Sequence, residues 1–470
     1  MIFTRPLSFL VTGACALGCV PSVRTQSPAS PPAASTAKRA PGVDDPKASE
    51  LLREALRLIQ QRNWDDARRR LDEARAINPR QPLLYSEYGF LTIMMGKPND
   101  AVDDLRHELA DHPGEDRASI LLAGVLQLQG KLPEALAVIK PVVDADAANI
   151  EAAGTYATLL YQSKDYAGTE KVSRQILTVR PDLAAAQMLL ANALNDEGKP
   201  ESRPELLTLL KSIVEKSSDP LTLNNVGYLL ADKDLDPPAA EHAARRAMAV
   251  VEQQVSDAAT DGDEKKSIQL TEVVANIWDT LGWALFRENK VAAAEPFVRA
   301  AWLHGLDAEA GLHLGLILEK QGQRAAAMSI YQVALFGEPG STPDLVKSRN
   351  LDRQAALRKA GLGKPVQEGK DALQAQRAYK VPGPNNLTGS ATVDIDYSIG
   401  GAANARIVKP GPDSATLSPV LKLLPRIDYR LLIPLGSNAH LTRRGTLTCH
   451  AGKTCDFVLL SPHAAVLSDN

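Results

Sequence analysis

Between residues 276 and 301 the chain reads NIWDTLGWALFRENKVAAAEPFVRAA, and its apolar side chains recur at three- and four-residue intervals. Trp278, Leu281 and Leu285 share one helical face, and Ala294, Phe297, Val298 and Ala301 share another. The polar run Arg287-Glu288-Asn289-Lys290 breaks the pattern and predicts a turn between two helices. Gly282 and Ala294 are small at the positions where the two helices cross, which permits close backbone approach. Such a hairpin is apolar on several sides and needs neighbouring copies to bury itself.

Copies recur along the chain. A small residue, followed about twelve positions later by another, occurs at Ala55 and Ala67, Gly89 and Ala101, Ala123 and Ala135, and Gly315 and Ala327. Gly227 pairs in the same way with Ala239 or Ala240, and a weaker unit puts Thr169 twelve positions after Ala157. Ala191 opens a unit whose second helix is disturbed by Arg203 and Pro204. The period is about 34 residues, and the pattern resembles the tetratricopeptide repeat. The resemblance implies a mainly α fold, a TPR-type α-solenoid of about eight helix–turn–helix repeats, whose usual work is binding other proteins. The repeats and their capping helices, expected near 343–360 and 366–377, fill residues 48–378. Residues 249–275 exceed the period and predict two lengthened helices around a loop at Asp261-Gly262-Asp263.

The period then changes from helical to alternating. Thr392, Asp394 and Asp396 interleave with Val393, Ile395 and Tyr397, as in a half-buried strand. A turn at 398–401, a partner strand at 405–408, a helix at 417–424, a strand at 429–433 and a hairpin of 445–449 with 455–460 complete a small α+β domain over 385–470. The VDIDYSIGG opening, short helix and paired strands resemble the TonB C-terminal domain, which implies docking to an envelope partner.

Composition narrows the chemistry. The formal charge is 53 − 56 = −3, without the clustered basic excess of a nucleic-acid binder. Residues 1–19 carry Arg5 and an apolar run at 7–17, the layout of an export signal. The run Ala16-Leu17-Gly18-Cys19 resembles a bacterial lipobox, with Cys15 as the second candidate for lipidation; an ordinary cleaved signal is the alternative. Residues 20–47 are rich in proline, serine and alanine and read as a tether. The expected location is therefore outside the cytoplasm, on the periplasmic face of the outer membrane as a lipoprotein or in the periplasm, with the membrane engaged through the anchor. Cys449 and Cys455 admit three readings: a disulfide, expected in an exported protein, half of a zinc site with His440 and His463, or a reactive thiol beside His450.

No catalytic or cofactor-binding motif is present, so the chain reads as a non-enzymatic scaffold without cofactor or metal. An envelope coupling or transport component acting through the tail, and an enzyme with its site in the tail, are the alternatives. In the family resembled, first helices line a groove, which places there Tyr161, Asn192, Asn195, Asp196, Asn224, Tyr228, Asp279, Trp283 and Arg287. Amides and aromatic rings suit an extended peptide or protein partner. Trp283, one residue beyond Gly282, is expected to face that groove as an accessible contact, whereas Trp278 has the register of a core residue.

Overall fold

The computed structural model describes residues 43–338, 343–362, 369–381, 386–461 and 464–465. The predicted signal, both candidate lipidation cysteines and most of the tether lie outside these residues. The first helix, α1 (Pro46–Gln60), starts two residues before the expected repeat, where the Asp45 side chain caps the amides of Lys47 and Ala48 at 2.9 and 3.0 Å.

Helices then follow in antiparallel pairs. Helix α1 pairs with α2 (Trp64–Ile77), α3 (Leu84–Met94) with α4 (Val102–Asp111), and α5 (Asp116–Leu128) with α6 (Leu132–Ala145). The fourth pair is α7 (Ile150–Gln162) and α8 (Tyr166–Val179), after which come α9 (Ala184–Glu197) and α10 (Arg203–Lys216). Next come α11 (Pro220–Asp232) with α12 (Pro237–Thr260), α13 (Glu264–Arg287) with α14 (Val291–Gly305), and α15 (Ala308–Lys320) with α16 (Arg324–Ala334). These are sixteen helices among the described residues, the number that eight helix–turn–helix repeats require. Arg203 and Pro204 do not prevent α10 from forming, because Pro204 sits in its first turn, where a missing N–H costs nothing. The chain forms two compact units, one ending at Leu206 and the other starting at Leu207.

The small-residue pattern is a packing pattern. Ala67, Ala101, Ala135, Ala240, Ala294 and Ala327 are all fully buried, which selects Ala240 over Ala239 in the sixth pair. A Cβ placed on Gly282 would collide with the Val298 side chain and stand 2.9 Å from the Ala294 carbonyl oxygen. At Gly315 it would enter the Tyr331 ring. The excess of residues 249–275 is absorbed as predicted: α12 and α13 each run 24 residues and meet at the 261–263 turn.

In the N-terminal unit one helix start is unusual. Leu83, at the N-cap of α3, has a left-handed backbone (φ 73°) and offers no side-chain cap. Glu108 of α4 supplies it, accepting from the amides of Leu83 and Tyr85 at 2.8 and 2.9 Å while itself fully buried. The triple arginine of α2 is an ion-paired surface: Arg70 meets Glu54 at 3.1 Å and Glu73 at 2.8 Å, and Arg68 lies 3.9 Å from Asp72.

After α16 come α17 (Pro343–Lys359) and the short α18 (Gly369–Ala375), where a longer second capping helix was expected. The tail sheet has five antiparallel strands, β1 (Ala378–Val381), β2 (Gly389–Ser398), β3 (Gly401–Pro410), β4 (Leu441–Cys449) and β5 (Cys455–Leu459), in the order β1-β5-β4-β2-β3. Strand β1 was not anticipated and lies ahead of the expected start at 385. The predicted helix shrinks to α19 (Ser418–Leu421), and the strand expected at 429–433 is a 3-10 turn at Arg430–Leu432. Val393, Ile395 and Tyr397 are fully buried as their alternation predicts. Asp394, on the opposite face of β2, is fully buried too, because Arg444 of β4 grips it with two bonds of 2.7 and 3.0 Å. Cys449 and Cys455 are joined in a disulfide with Cα atoms 4.2 Å apart, which removes the zinc and free-thiol readings.

Candidate protein-interaction face

Neighbouring first helices of the C-terminal unit, α11, α13 and α15, carry five of the predicted residues. Tyr228 and Asn224 lie on α11, and Asp279, Trp283 and Arg287 on α13, where four-residue steps place all three on one face. Two residues of α15 that the sequence reading missed, Glu309 and His313, complete the group. The Tyr228 hydroxyl donates to the Glu309 carboxylate, reaching past α13 from α11 to α15. Asp279 meets Nδ1 of His313 at 3.0 Å. The His313 ring stacks on Trp283, with centroids 4.1 Å apart and planes inclined by 10°. Phe286 stacks on Trp283 at 5.2 Å, and Arg287 places its guanidinium 5.7 Å from the same ring while pairing with Asp234 at 3.1 Å.

This arrangement corrects the expectation for Trp283. It shares a helix face with Asp279 and Arg287, but the indole is only 2% exposed, because the first helix of the next repeat covers it with His313. Trp283 is the floor of the face. Asn192 and Asn224 are buried as well, at 5% and 9% exposure, and neither presents the open carboxamide that an accessible contact requires. Tyr228, Asp279, Arg287 and Glu309 remain half-buried and form its accessible rim. Among the described residues, two polar atoms of the floor, Oδ1 of Asn224 and Nε1 of Trp283, find no hydrogen-bond partner.

The electrostatics follow from the packing. Burial opposes the charge of His313, but the Asp279 carboxylate, both as a charge and as a hydrogen-bond acceptor, outweighs it and raises the imidazole above its ordinary value. Burial, then the charges of Glu309 and Asp232, push the Tyr228 hydroxyl far up, so it stays protonated and acts as a donor.

In the N-terminal unit Tyr161 and Asn195 converge on one carboxylate. The Tyr161 hydroxyl donates to Asp196 at 2.6 Å and the Asn195 amide donates to it at 2.7 Å, which ties α7 to α9. Several of these links join residues one repeat apart: 34 positions separate Asp279 from His313 and 35 separate Tyr161 from Asp196. A polar residue whose partner recurs one period later is a signal the sequence holds, and it would have found His313.

Helix pairs of this length, repeating in this register and crossing on Gly or Ala, define the architecture. The fold is of the tetratricopeptide type. No family model matches the chain, and no curated protein is similar to it in sequence. Solved structures similar in fold include a tetratricopeptide repeat protein from Parabacteroides merdae, at 15% identity and a TM-score of 0.37, covering 66% of this chain and 99% of that one. PilF of Pseudomonas aeruginosa matches at 15% identity and a TM-score of 0.38, covering 43% of this chain and 91% of that one. Yeast Tom70 matches at 14% identity and a TM-score of 0.40, covering 67% and 66%.

Proposed function

We propose that the chain is a non-catalytic protein-interaction scaffold of the bacterial envelope, exported and tethered to the periplasmic face of the outer membrane by lipid on Cys19 or Cys15. Its partner is an extended peptide segment that lies across α11, α13 and α15. The observation that carries this reading is the convergence of Tyr228, Asp279, Arg287 and Glu309 from three successive first helices over an aromatic floor. A row of hydroxyl, carboxylate and guanidinium groups above Trp283 and His313 offers both donors and acceptors to a peptide backbone. The Cys449–Cys455 disulfide supports residence in an oxidising compartment.

The test is capture of partners from membranes by the full-length chain, read by mass spectrometry, with the wild type beside a Tyr228→Phe, Arg287→Ala variant. Both substitutions fall on the rim, and at a temperature where thermal melts show wild type and variant fully folded the variant should lose partner affinity by tenfold or more, about 1.4 kcal/mol. Equal capture by wild type and variant would remove the face from consideration. Serine at Cys15 and Cys19 together should move the protein to the soluble fraction, and retention at the membrane would discard the anchor. The alternative of coupling through the TonB-C-like tail predicts instead that partners survive the rim variant and are lost when the tail is altered.

A further inference from the structure

We infer that the tail domain is fastened to the repeats by an acid-opened joint, whose central piece is the neutral imidazole of His304. His304 ends α14 and is fully buried against the tail. On one side Nδ1 faces Nη1 of Arg443 from β4. On the other, Nε2 lies 2.7 Å from the Leu432 carbonyl oxygen and 3.3 Å from the Tyr397 hydroxyl. A guanidinium only donates, so Nδ1 must present a lone pair; a carbonyl only accepts, so Nε2 must carry the hydrogen. The contact network therefore admits one protonation state.

The surroundings leave a second proton nowhere to go. Arg443 is fully buried, its Nη2 donates to Leu460 O at 2.6 Å, and its Nε has no partner. Arg377, 9% exposed, closes the end of α14 by donating to the His304 and Leu303 carbonyl oxygens at 2.6 and 3.3 Å. Among the described residues neither arginine has an ion pair; the nearest influences are the charge of exposed Glu338 on Arg377 and the dipole end of α14. The rest of the wall is aromatic: Trp278 of α13 meets the imidazole edge-on at 5.5 Å, Tyr397 stacks at 6.2 Å, and Tyr429 and Tyr379 lie behind. A proton on Nδ1 would cancel the acceptor of Arg443 and place a third positive charge beside two buried arginines. Burial and Arg443 accordingly hold the imidazole well below its ordinary 6.5.

The sign follows from linkage. An imidazole that resists protonation only while docked stabilises the joint fully above 6.5, and that contribution is lost as pH falls below it. The docking constant drops about tenfold per pH unit until the docked value is reached. Two further contacts, Glu252 accepting from Ser437 and Asn438, and Glu264 paired with Arg406, tether the tail elsewhere.

Hydrogen exchange of the full-length chain between pH 7.5 and pH 5, corrected for intrinsic rates, reads the joint directly. Peptides from 291–305, 378–381 and 441–449 should lose protection by about tenfold per pH unit below 6.5, while peptides from 46–206 serve as the control. His304→Gln keeps an acceptor for Arg443 and a donor for Leu432 O without titrating, so it should abolish the response. Glu252→Gln should leave it intact, and this variant decides the matter if His304→Gln does not fold. Unchanged wild-type protection, a response that persists in His304→Gln, or one that vanishes in Glu252→Gln would each overturn the inference.

Discussion

His313 and Asp279 stand 34 residues apart in sequence and 3.0 Å apart in space, a distance of one repeat along the chain and one helix across the face. The pair is buried on the histidine side, where side-chain exposure is 2%, and half-open on the aspartate side, at 14%. Because Asp279 lifts the imidazole above its ordinary 6.5, the pair contributes fully below 6.5 and its contribution is lost as pH rises through the raised value. Denaturant titrations from pH 6 to pH 9 should show this loss in the wild type. Asp279→Asn should remove the dependence and cost about 3 kcal/mol at pH 6.

Trp283 and Trp278 should behave alike. Both are buried, at 2% and 0% exposure, so alanine at either position should destabilise the fold by about 3–5 kcal/mol. A Trp283→Ala variant that melts like the wild type would mean that the indole stands in solvent.

Glu108 replaces a missing helix cap from a distance of 25 residues. Glu108→Ala leaves the amides of Leu83 and Tyr85 without an acceptor, and the expected loss is about 1.5–3 kcal/mol, the range for hydrogen bonds to a charged group. Exchange should accelerate first at the start of α3.

Gly315→Ala adds one methyl where the Tyr331 ring already lies. Overpacking of this kind costs about 1–3 kcal/mol. Alanine at Gly154, where nothing lies within 4 Å of the new Cβ, should be neutral or mildly stabilising, because it favours the helix. Paired thermal melts check the contrast.

What the sequence disclosed and what it withheld divide along physical lines. Gly282, Ala294 and their counterparts announce helix crossings because the constraint is steric and local to a hairpin. The depth of Trp283 was not legible, since spacing within α13 fixes direction but says nothing of what α15 lays over it. His313 was legible only by comparing positions one period apart. In the tail, 429–433 has the composition of a strand, yet Leu432 turns its carbonyl to His304 of a helix 128 residues upstream. Strand β1 is four residues long and gains its partners from β5, so no pattern within it gives it away.

The two 24-residue helices carry a consequence for how such a chain can change. Helices α12 and α13 extend roughly 36 Å at 1.5 Å per residue, against roughly 21 Å for the 14 residues of α2. At the tip, Glu264 holds Arg406 of the tail, and below it Glu252 holds Ser437. Removing a single residue from one of these helices would swing the grip by 100°, and Glu264 would point away from the sheet. The arm is thus a gauge: its register sets the direction of the grip and its length the height, about 5.4 Å per turn, so a change in either draws Glu264 away from Arg406.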